Sequence, residues 1–115
     1  MATITALITG GNWTSGATWL GGVAPAAGDN AVLDATSGNV TIDAGAVARS
    51  LDCTGYTGVL THNAGATLTL GDATAGPSSL ALKLVAGMTY TLNNATTSAI
   101  TFASSSATQQ TVTCA

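Results

Sequence analysis

Hydrophobic and polar residues alternate in short runs along most of the chain. The clearest succession lies between Val40 and Leu70, where apolar residues stand two apart and Gly, Ala, Thr and Asn separate the runs. A period of two places these side chains on one face of a pleated strand, and breaks at intervals of roughly 8 to 12 residues are typical of an all-β protein. The pattern predicts strands at residues 3–9, 31–33, 40–42, 51–53, 59–61, 68–70, 80–84, 89–92, 100–102 and 112–114.

Turn-forming residues separate the predicted strands. Gly10-Gly11-Asn12 ends the first strand, and Gly71-Asp72, Gly76-Pro77-Ser78 and Asn93-Asn94 mark later loops and turns. The polar positions hold mainly Thr, Ser and Asn, which favour strands and turns over helices. The sequence therefore predicts no helix.

Two all-β architectures fit this spacing. A β-sandwich or jelly roll needs large side chains between its sheets, but only 4% of the residues are aromatic, and Ala, Thr and Gly dominate. A β-solenoid has a narrow cross-section that one or two aliphatic side chains fill in each turn. We expect a β-solenoid, with the sandwich as the alternative, in a single domain of residues 1–115. Residues 1–30 form a capping segment rich in Trp and Gly, and residues 31–115 form repeated short strands.

Charge is sparse and excludes some partners. The net charge is −3, from five Asp residues against Arg49 and Lys83, so no basic patch is present for nucleic acid. The N-terminus resembles neither a secretory signal nor a membrane span. The sequence has one Lys and no Glu to protect its strand edges. Unprotected edges tend to pair with other chains. The composition therefore predicts self-association.

The most distinctive stretch is WTSGATWLGGVAPAAGD, from Trp13 to Asp29. Two Trp residues six positions apart flank a Ser15-Gly16 turn. Our main interpretation is that both rings cover the open end of the core, where they shield an exposed sheet edge. The alternative is a platform on which a sugar stacks, although the amide and carboxylate groups of a usual sugar site are missing beside the rings.

The same stretch carries a family resemblance. Followed by strands of the AVLDA and VTIDAG type, it is similar to the opening of β-helical structural proteins encoded by phages and environmental bacteria, and a related pattern opens the G8-type domains of surface proteins. The residues that carry the likeness are Trp13, Trp19, Gly21-Gly22, Pro25 and Gly28-Asp29. The later part, from SLDCTGYTG to the TQQTV run, is similar to the continuation of such proteins.

The resemblance implies a non-enzymatic structural protein of a virion or cell surface. As a capsid decoration, tail or fibre subunit it would be made in the host cytoplasm and bind copies of itself, as a trimer or larger assembly, and other virion proteins. Trp13, Trp19, Pro25 and Asp29 would then serve the capping end or assembly. The alternative function is an adhesin module in which these residues contact host-surface glycans.

Three carboxylates invite a catalytic or metal-binding interpretation. Asp34, Asp43 and Asp52 are nine residues apart, and stacked turns would align them in a ladder whose repulsion a calcium ion relieves. The glycine-rich nonapeptide of calcium β-rolls is absent, and Asp at a strand end ordinarily accepts backbone N–H bonds. A glycosidase would need two carboxylates flanking one sugar bond, for which Asp43 and Asp52 are the candidates.

The remaining reactive side chains have ordinary structural interpretations. His62 stands at a strand end with no GxSxG motif to form a triad, and Arg49 and Lys83 are expected to be solvated or paired with Asp52 or Asp72. Cys53 and Cys114 lack a CxxC partner, so buried free thiols are the main interpretation and a disulfide is the alternative. The sequence predicts no catalytic residue, cofactor or metal site.

Overall fold

A computed structural model describes residues 2–93 and 95–114. Within these residues it contains twelve β-strands and two 3-10 helices, Gly16–Thr18 and Pro77–Ser79, and no α-helix. The strands are β1 Thr3–Thr5, β2 Gly11–Asn12, β3 Asn30–Val32, β4 Val40–Ile42, β5 Ala46–Ala48, β6 Ser50–Asp52, β7 Val59–His62, β8 Thr67–Leu70, β9 Leu80–Leu84, β10 Thr89–Leu92, β11 Ala99–Phe102 and β12 Thr111–Cys114.

The strands form three sheets that the chain visits in turn. The first sheet has the order β1-β3-β6-β9-β12, the second β10-β7-β4-β2 and the third β11-β8-β5. From β3 onward, each run of three strands, which we call a pass, contributes one strand to each sheet. Every paired strand in these sheets is parallel to its neighbour. This pairing differs from that of an antiparallel sandwich or jelly roll.

The register of the sheets builds the core from rows of stacked side chains. Ala31, Leu51 and Leu82 occupy matching positions on neighbouring strands of the first sheet. In parallel strands such partners point to the same face, and all three are buried. The second and third sheets add similar rows. The large aliphatic side chains that are fully buried are Leu33, Val40, Ile42, Leu51, Leu60, Leu68 and Leu70.

Most predicted strands appear with small shifts of their ends. Those at 40–42, 80–84 and 89–92 have the predicted bounds, whereas the first strand ends at Thr5 and not at residue 9. The sequence pattern missed β2 and β5 because Gly11–Asn12 has no apolar residue and Ala46–Ala48 is short and weakly apolar. The prediction of no helix overlooked the two 3-10 turns. Asn94, half of the predicted turn Asn93-Asn94, lies outside the described residues.

The helices are short structural turns. Neither has the length and apolar character that a membrane crossing requires, and no other helix occurs in residues 2–93 or 95–114.

Candidate functional site

The two Trp side chains lie together at the N-terminal end of the sheets. Their rings meet edge to face, with centroids 5.0 Å apart and planes inclined by 73°, a favourable geometry for aromatic pairs. Both side chains have 0% of their surface exposed. The indole Nε1–H of Trp19 donates to the carbonyl oxygen of Trp13 at 2.7 Å, so the pair is fixed in orientation as well as packed.

This segment also satisfies backbone groups at the edges of the first strands. Next to β1, the N–H of Leu7 donates to the Thr18 carbonyl at 2.8 Å, and the N–H of Leu20 donates to the Thr5 carbonyl at 2.9 Å. On the third sheet, whose first strand is β5, the Trp13 Nε1–H donates to the Val47 carbonyl at 3.1 Å. Side-chain and antiparallel backbone contacts thus occupy edges where a preceding parallel strand would otherwise pair.

Pro25 and Asp29 belong to the loop that follows the Trp pair. Pro25 is buried. The Asp29 carboxylate accepts hydrogen bonds from the N–H of Ala2 at 3.1 Å and from the N–H of Ala26 at 2.9 Å. It therefore ties the loop to the residue that precedes β1. The structure brings Trp13 and Trp19 into contact, whereas Asp29 acts on the chain before β1.

The burial of the Trp pair bears on glycan contact. A sugar stacks on an exposed face of an aromatic ring. Because Trp13 and Trp19 have no exposed surface, they offer no face to a sugar in this structure, and the arrangement speaks against their use as a stacking platform.

Three of the five Asp residues form the same turn. Asp34, Asp52 and Asp72 each precede a Thr by two positions, in the sequences DAT, DCT and DAT. In each case Oδ1 accepts a bond of 2.9 Å from the Thr backbone N–H and a second bond from the Thr hydroxyl. These carboxylates are therefore turn-forming acceptors, the ordinary role of Asp at a strand end.

The pKa values of two of these carboxyls agree with that role. The hydroxyl of Thr36 lowers the pKa of Asp34 below its usual 3.8. The backbone N–H of Thr74 lowers the pKa of Asp72, with smaller contributions from the Thr74 hydroxyl and from the charge of Arg49. Hydrogen bonds that favour the charged form hold both groups ionised at neutral pH.

The structure does not assemble the proposed carboxylate ladder. Asp43 follows β4 in the second sheet, and its carboxylate accepts bonds from the N–H and the hydroxyl of Thr14. Asp34 and Asp52 belong to the first sheet, so the nine-residue spacing does not align the three side chains. No group of three or more His, Cys, Asp or Glu residues that might hold a metal ion occurs in the part of the chain that the structure describes.

The environment of Arg49 differs from the sequence prediction of a solvated side chain. Its side chain is 2% exposed and not solvated. The guanidinium Nε–H donates to Oδ1 of Asn30 at 3.0 Å, and Nη1–H donates to the hydroxyl of Thr74 at 2.8 Å. The same Asn30 oxygen accepts the Ser50 hydroxyl at 2.8 Å. Arg49 thus links the first sheet to the loop after β8. Lys83 occupies the register position beside Asp52.

His62 is a structural histidine. It is 1% exposed, and its Nε2 lies 2.6 Å from the carbonyl oxygen of Ala66 while Nδ1 lies 2.6 Å from the Tyr90 hydroxyl. A carbonyl only accepts, so Nε2 carries the proton and Nδ1 accepts from Tyr90 in the neutral ring. Burial raises the pKa of Tyr90 to about 12, with a smaller contribution from Cys53, and the phenol therefore stays protonated and able to donate.

The two cysteines are free, but only one is buried. Burial, with a smaller effect of Asp52, raises the pKa of Cys53 to about 12, so its thiol is not an activated nucleophile. Cys114 is exposed, which corrects the expectation of two buried thiols. Leu84 lies between them in the stack. Two strand spacings of about 4.8 Å separate the two Cys residues, too far for a disulfide.

Among the described residues, the strands farthest from the Trp pair leave core positions exposed. Strands β10, β11 and β12 are the last in their sheets, each with a partner on one edge within the described residues. Leu92, Phe102 and Val112 stand in register with buried His62, Leu70 and Leu82. They therefore occupy core positions, yet they are 58%, 51% and 52% exposed. We call β10–β12 and these three side chains the open end.

A cavity enters the core beside the open end. It has a volume of about 260 Å³ and is lined by His62, Tyr90, Leu92, Ser98, Ala99 and Ile100. The sequence from Leu84 to Cys114 contains no charged residue, so its edges lack the Lys and Pro residues that usually prevent edge pairing. A second apolar groove, at the N-terminal end, includes Ile8 and Leu20, which are 79% and 66% exposed.

Comparisons with known proteins found no match. No family model, no curated protein and no solved structure matches the chain.

The sequence singled out Trp13 and Trp19, which the structure brings into contact, but it did not reveal the open end as a site. The alternation in residues 89–92, 100–102 and 112–114 predicted these strands, yet it did not show that they lie last in three different sheets. One signal was present in the sequence, namely the 31 uncharged residues from Leu84 to Cys114. The recurrent D-x-T turns were also readable as a repeat.

Proposed function

We propose that the protein is a non-enzymatic structural subunit of a virus particle, most consistent with a phage, and that its passes are the turns of a β-solenoid. In this proposal the Trp segment caps the N-terminal end, and the open end assembles with other subunits. The subunit belongs to a capsid decoration, a tail or a fibre, and its partners are copies of itself and other virion proteins.

The observation that carries the proposal is the contrast between the two ends. At the N-terminal end, Trp13 and Trp19 are fully buried and backbone groups of the first strands have partners. At the other end, three core positions are more than half exposed beside strand edges that have no partner among residues 2–93 and 95–114. A stack of parallel strands with one closed and one open end is suited to end-on assembly.

The polar residues support a mechanical role over a catalytic one. All five Asp carboxylates accept backbone N–H bonds, three of them in Asp-x-Thr turns and those of Asp29 and Asp43 from distant segments. His62 and Arg49 are buried in hydrogen-bonded positions. In such positions these side chains hold loops and neighbouring strands together. The resemblance of the Trp13–Asp29 stretch to phage β-helical proteins supports the assignment to a virus particle.

Quantitative mass spectrometry of purified virus particles tests the function. The expected result is a copy number close to that of the major shell or tube protein, or a fixed simple fraction of it. A few copies per particle, or none, would overturn the proposal. Binding of the purified chain to a glycan array would then favour the adhesin alternative.

A further inference from the structure

We propose that the open end binds the open end of a second copy of this chain, so that two subunits join tail to tail about a twofold axis. This inference rests on the proposed function only in taking the open end as the assembly surface. It adds the identity of the partner and the direction of assembly.

The first argument is the chemistry of the surface. Leu92, Phe102 and Val112 continue rows of core side chains and are more than half exposed. Because residues Leu84–Cys114 carry no charge, two identical surfaces of this kind meet without like-charge repulsion. A surface that is apolar, uncharged and bounded by free strand edges is complementary to itself.

The N-terminal end is less suited as the matching surface, because some of its edge groups are already bonded. Head-to-tail stacking requires free N–H and C=O groups on β1 or on the first strands of the other sheets. Leu7 N–H and the Thr5 carbonyl are already bonded to residues of the capping segment, and Trp13 occupies the Val47 carbonyl. The groove at Ile8 and Leu20 offers apolar contact but does not supply these backbone partners.

Twofold symmetry then follows from geometry. When two copies meet by the same surface, the interface is isologous and closes at a dimer. The strands of one open end run antiparallel to those of the other, an arrangement that pairs their edges by regular backbone hydrogen bonds. The cavity beside His62 and Tyr90 is covered in this dimer, and the exposed core positions are buried.

Light scattering after size-exclusion chromatography tests the proposal with matched variants. The wild-type chain is expected to form a dimer that does not grow with concentration. Phe102→Asp places a charge at the open end in both copies, and we expect it to raise the dimer dissociation constant by at least about tenfold. Ile8→Asp, which places the same charge on an exposed apolar residue at the other end, is the control and is expected to leave the dimer intact.

Other outcomes overturn the proposal. A wild-type monomer, a trimer or an open-ended filament contradicts the twofold dimer, and dissociation by Ile8→Asp indicates head-to-tail contact instead. The far-ultraviolet circular dichroism spectrum shows whether Phe102→Asp keeps its strands, and fluorescence of the buried Trp pair shows whether the other end is intact. If Phe102→Asp is not folded, Leu92→Asn replaces it. A dimer in solution with no copies in virus particles would contradict the proposed function alone, and abundant copies with a monomeric chain would contradict this inference alone.

Discussion

At the scale of single residues, large and polar side chains pack at the N-terminal end of the sheets or connect strands and loops of successive passes. The Trp pair covers the N-terminal end, three Asp-x-Thr turns fix loops, and Arg49 joins Asn30 to Thr74. Each of these side chains satisfies a backbone group or a buried polar atom that the narrow core leaves without a partner. Buried polar groups without partners are costly, so Arg49 and the Trp pair are expected to contribute strongly to stability, and the solvent-exposed Asp-x-Thr bonds less.

Trp19 provides the test at this scale. Trp19→Phe keeps an aromatic ring but removes the N–H that donates to the buried Trp13 carbonyl. We expect a loss of about 1–3 kcal/mol in the free energy of unfolding, and Trp19→Ala is expected to lose about 3–5 kcal/mol. Urea denaturation followed by circular dichroism measures both values.

The neighbouring exposed residue supplies the control for Trp19. Leu20 is 66% exposed, and Leu20→Ala is expected to change stability by less than about 0.5 kcal/mol. If Trp19→Ala left stability unchanged and abolished binding to a glycan, the capping role would be wrong and the stacking platform would be supported.

At the scale of strands and loops, the sequence predicted what its alternation encodes. Ten of the twelve strands correspond to predicted runs, because each places apolar residues two apart against a buried core. The pairing of those strands was not readable from alternation. Asp34 and Asp43 are as far apart in sequence as Asp43 and Asp52, but this spacing covers only the step from one sheet to another. Asp34 follows β3 and Asp52 ends β6 in the first sheet, whereas Asp43 follows β4 in the second.

The residues of the candidate site were likewise only partly predictable from the sequence. Trp13 and Trp19 were recognisable because large rings are rare in this chain, and large rings at one end cover much apolar surface. The burial of Arg49 was not recognisable, because it depends on Asn30 and Thr74, which precede and follow it by 19 and 25 residues. Contacts between successive passes therefore decide the environment of polar residues, and local sequence patterns do not contain them.

Close stacking of successive passes gives a test at this scale. Gly71 has φ +125°, and a Cβ there would overlap the backbone N of Ser104 in the following pass. Gly45 also has a positive φ, +86°, but no atom of the described residues lies within 4 Å of the corresponding Cβ position. The two residues thus separate backbone strain from steric overlap.

We expect Gly45→Ala to cost about 1–2 kcal/mol through its backbone conformation. Gly71→Ala is expected to cost about 1–3 kcal/mol more, because the next pass must move. Equilibrium denaturation in urea measures the difference. Equal losses for the two variants would contradict the close approach of these passes.

At the scale of the whole molecule, the paired strands of each sheet come from successive passes. Stability in such an array is a sum of the passes and their interfaces, so a terminal pass with one neighbour is less stable than a central one. At the N-terminal end the capping segment compensates for the missing neighbour. At the open end, the second copy that we propose as a partner would supply the corresponding stability.

Hydrogen exchange of single amides tests this gradient. The N–H of Leu33 bonds to the Asp52 carbonyl in the middle of the first sheet, and the N–H of Ala103 bonds to the Leu70 carbonyl beside the open end. In the monomeric Phe102→Asp variant, we expect the free energy of opening at the Ala103 amide to be at least about 2 kcal/mol lower than that at the Leu33 amide. The reason is that local unfolding begins at the pass with one neighbour. The N–H of Leu20, which the capping segment holds against Thr5, is the control and should exchange more slowly than that of Ala103.

In the wild-type chain, raising the protein concentration should slow exchange at Ala103 and leave Leu33 unchanged, since binding of a partner stabilises only the state with an ordered open end. Equal protection of Ala103 and Leu33 in the monomer would mean that the passes unfold as one unit and that the open end needs no partner to be ordered.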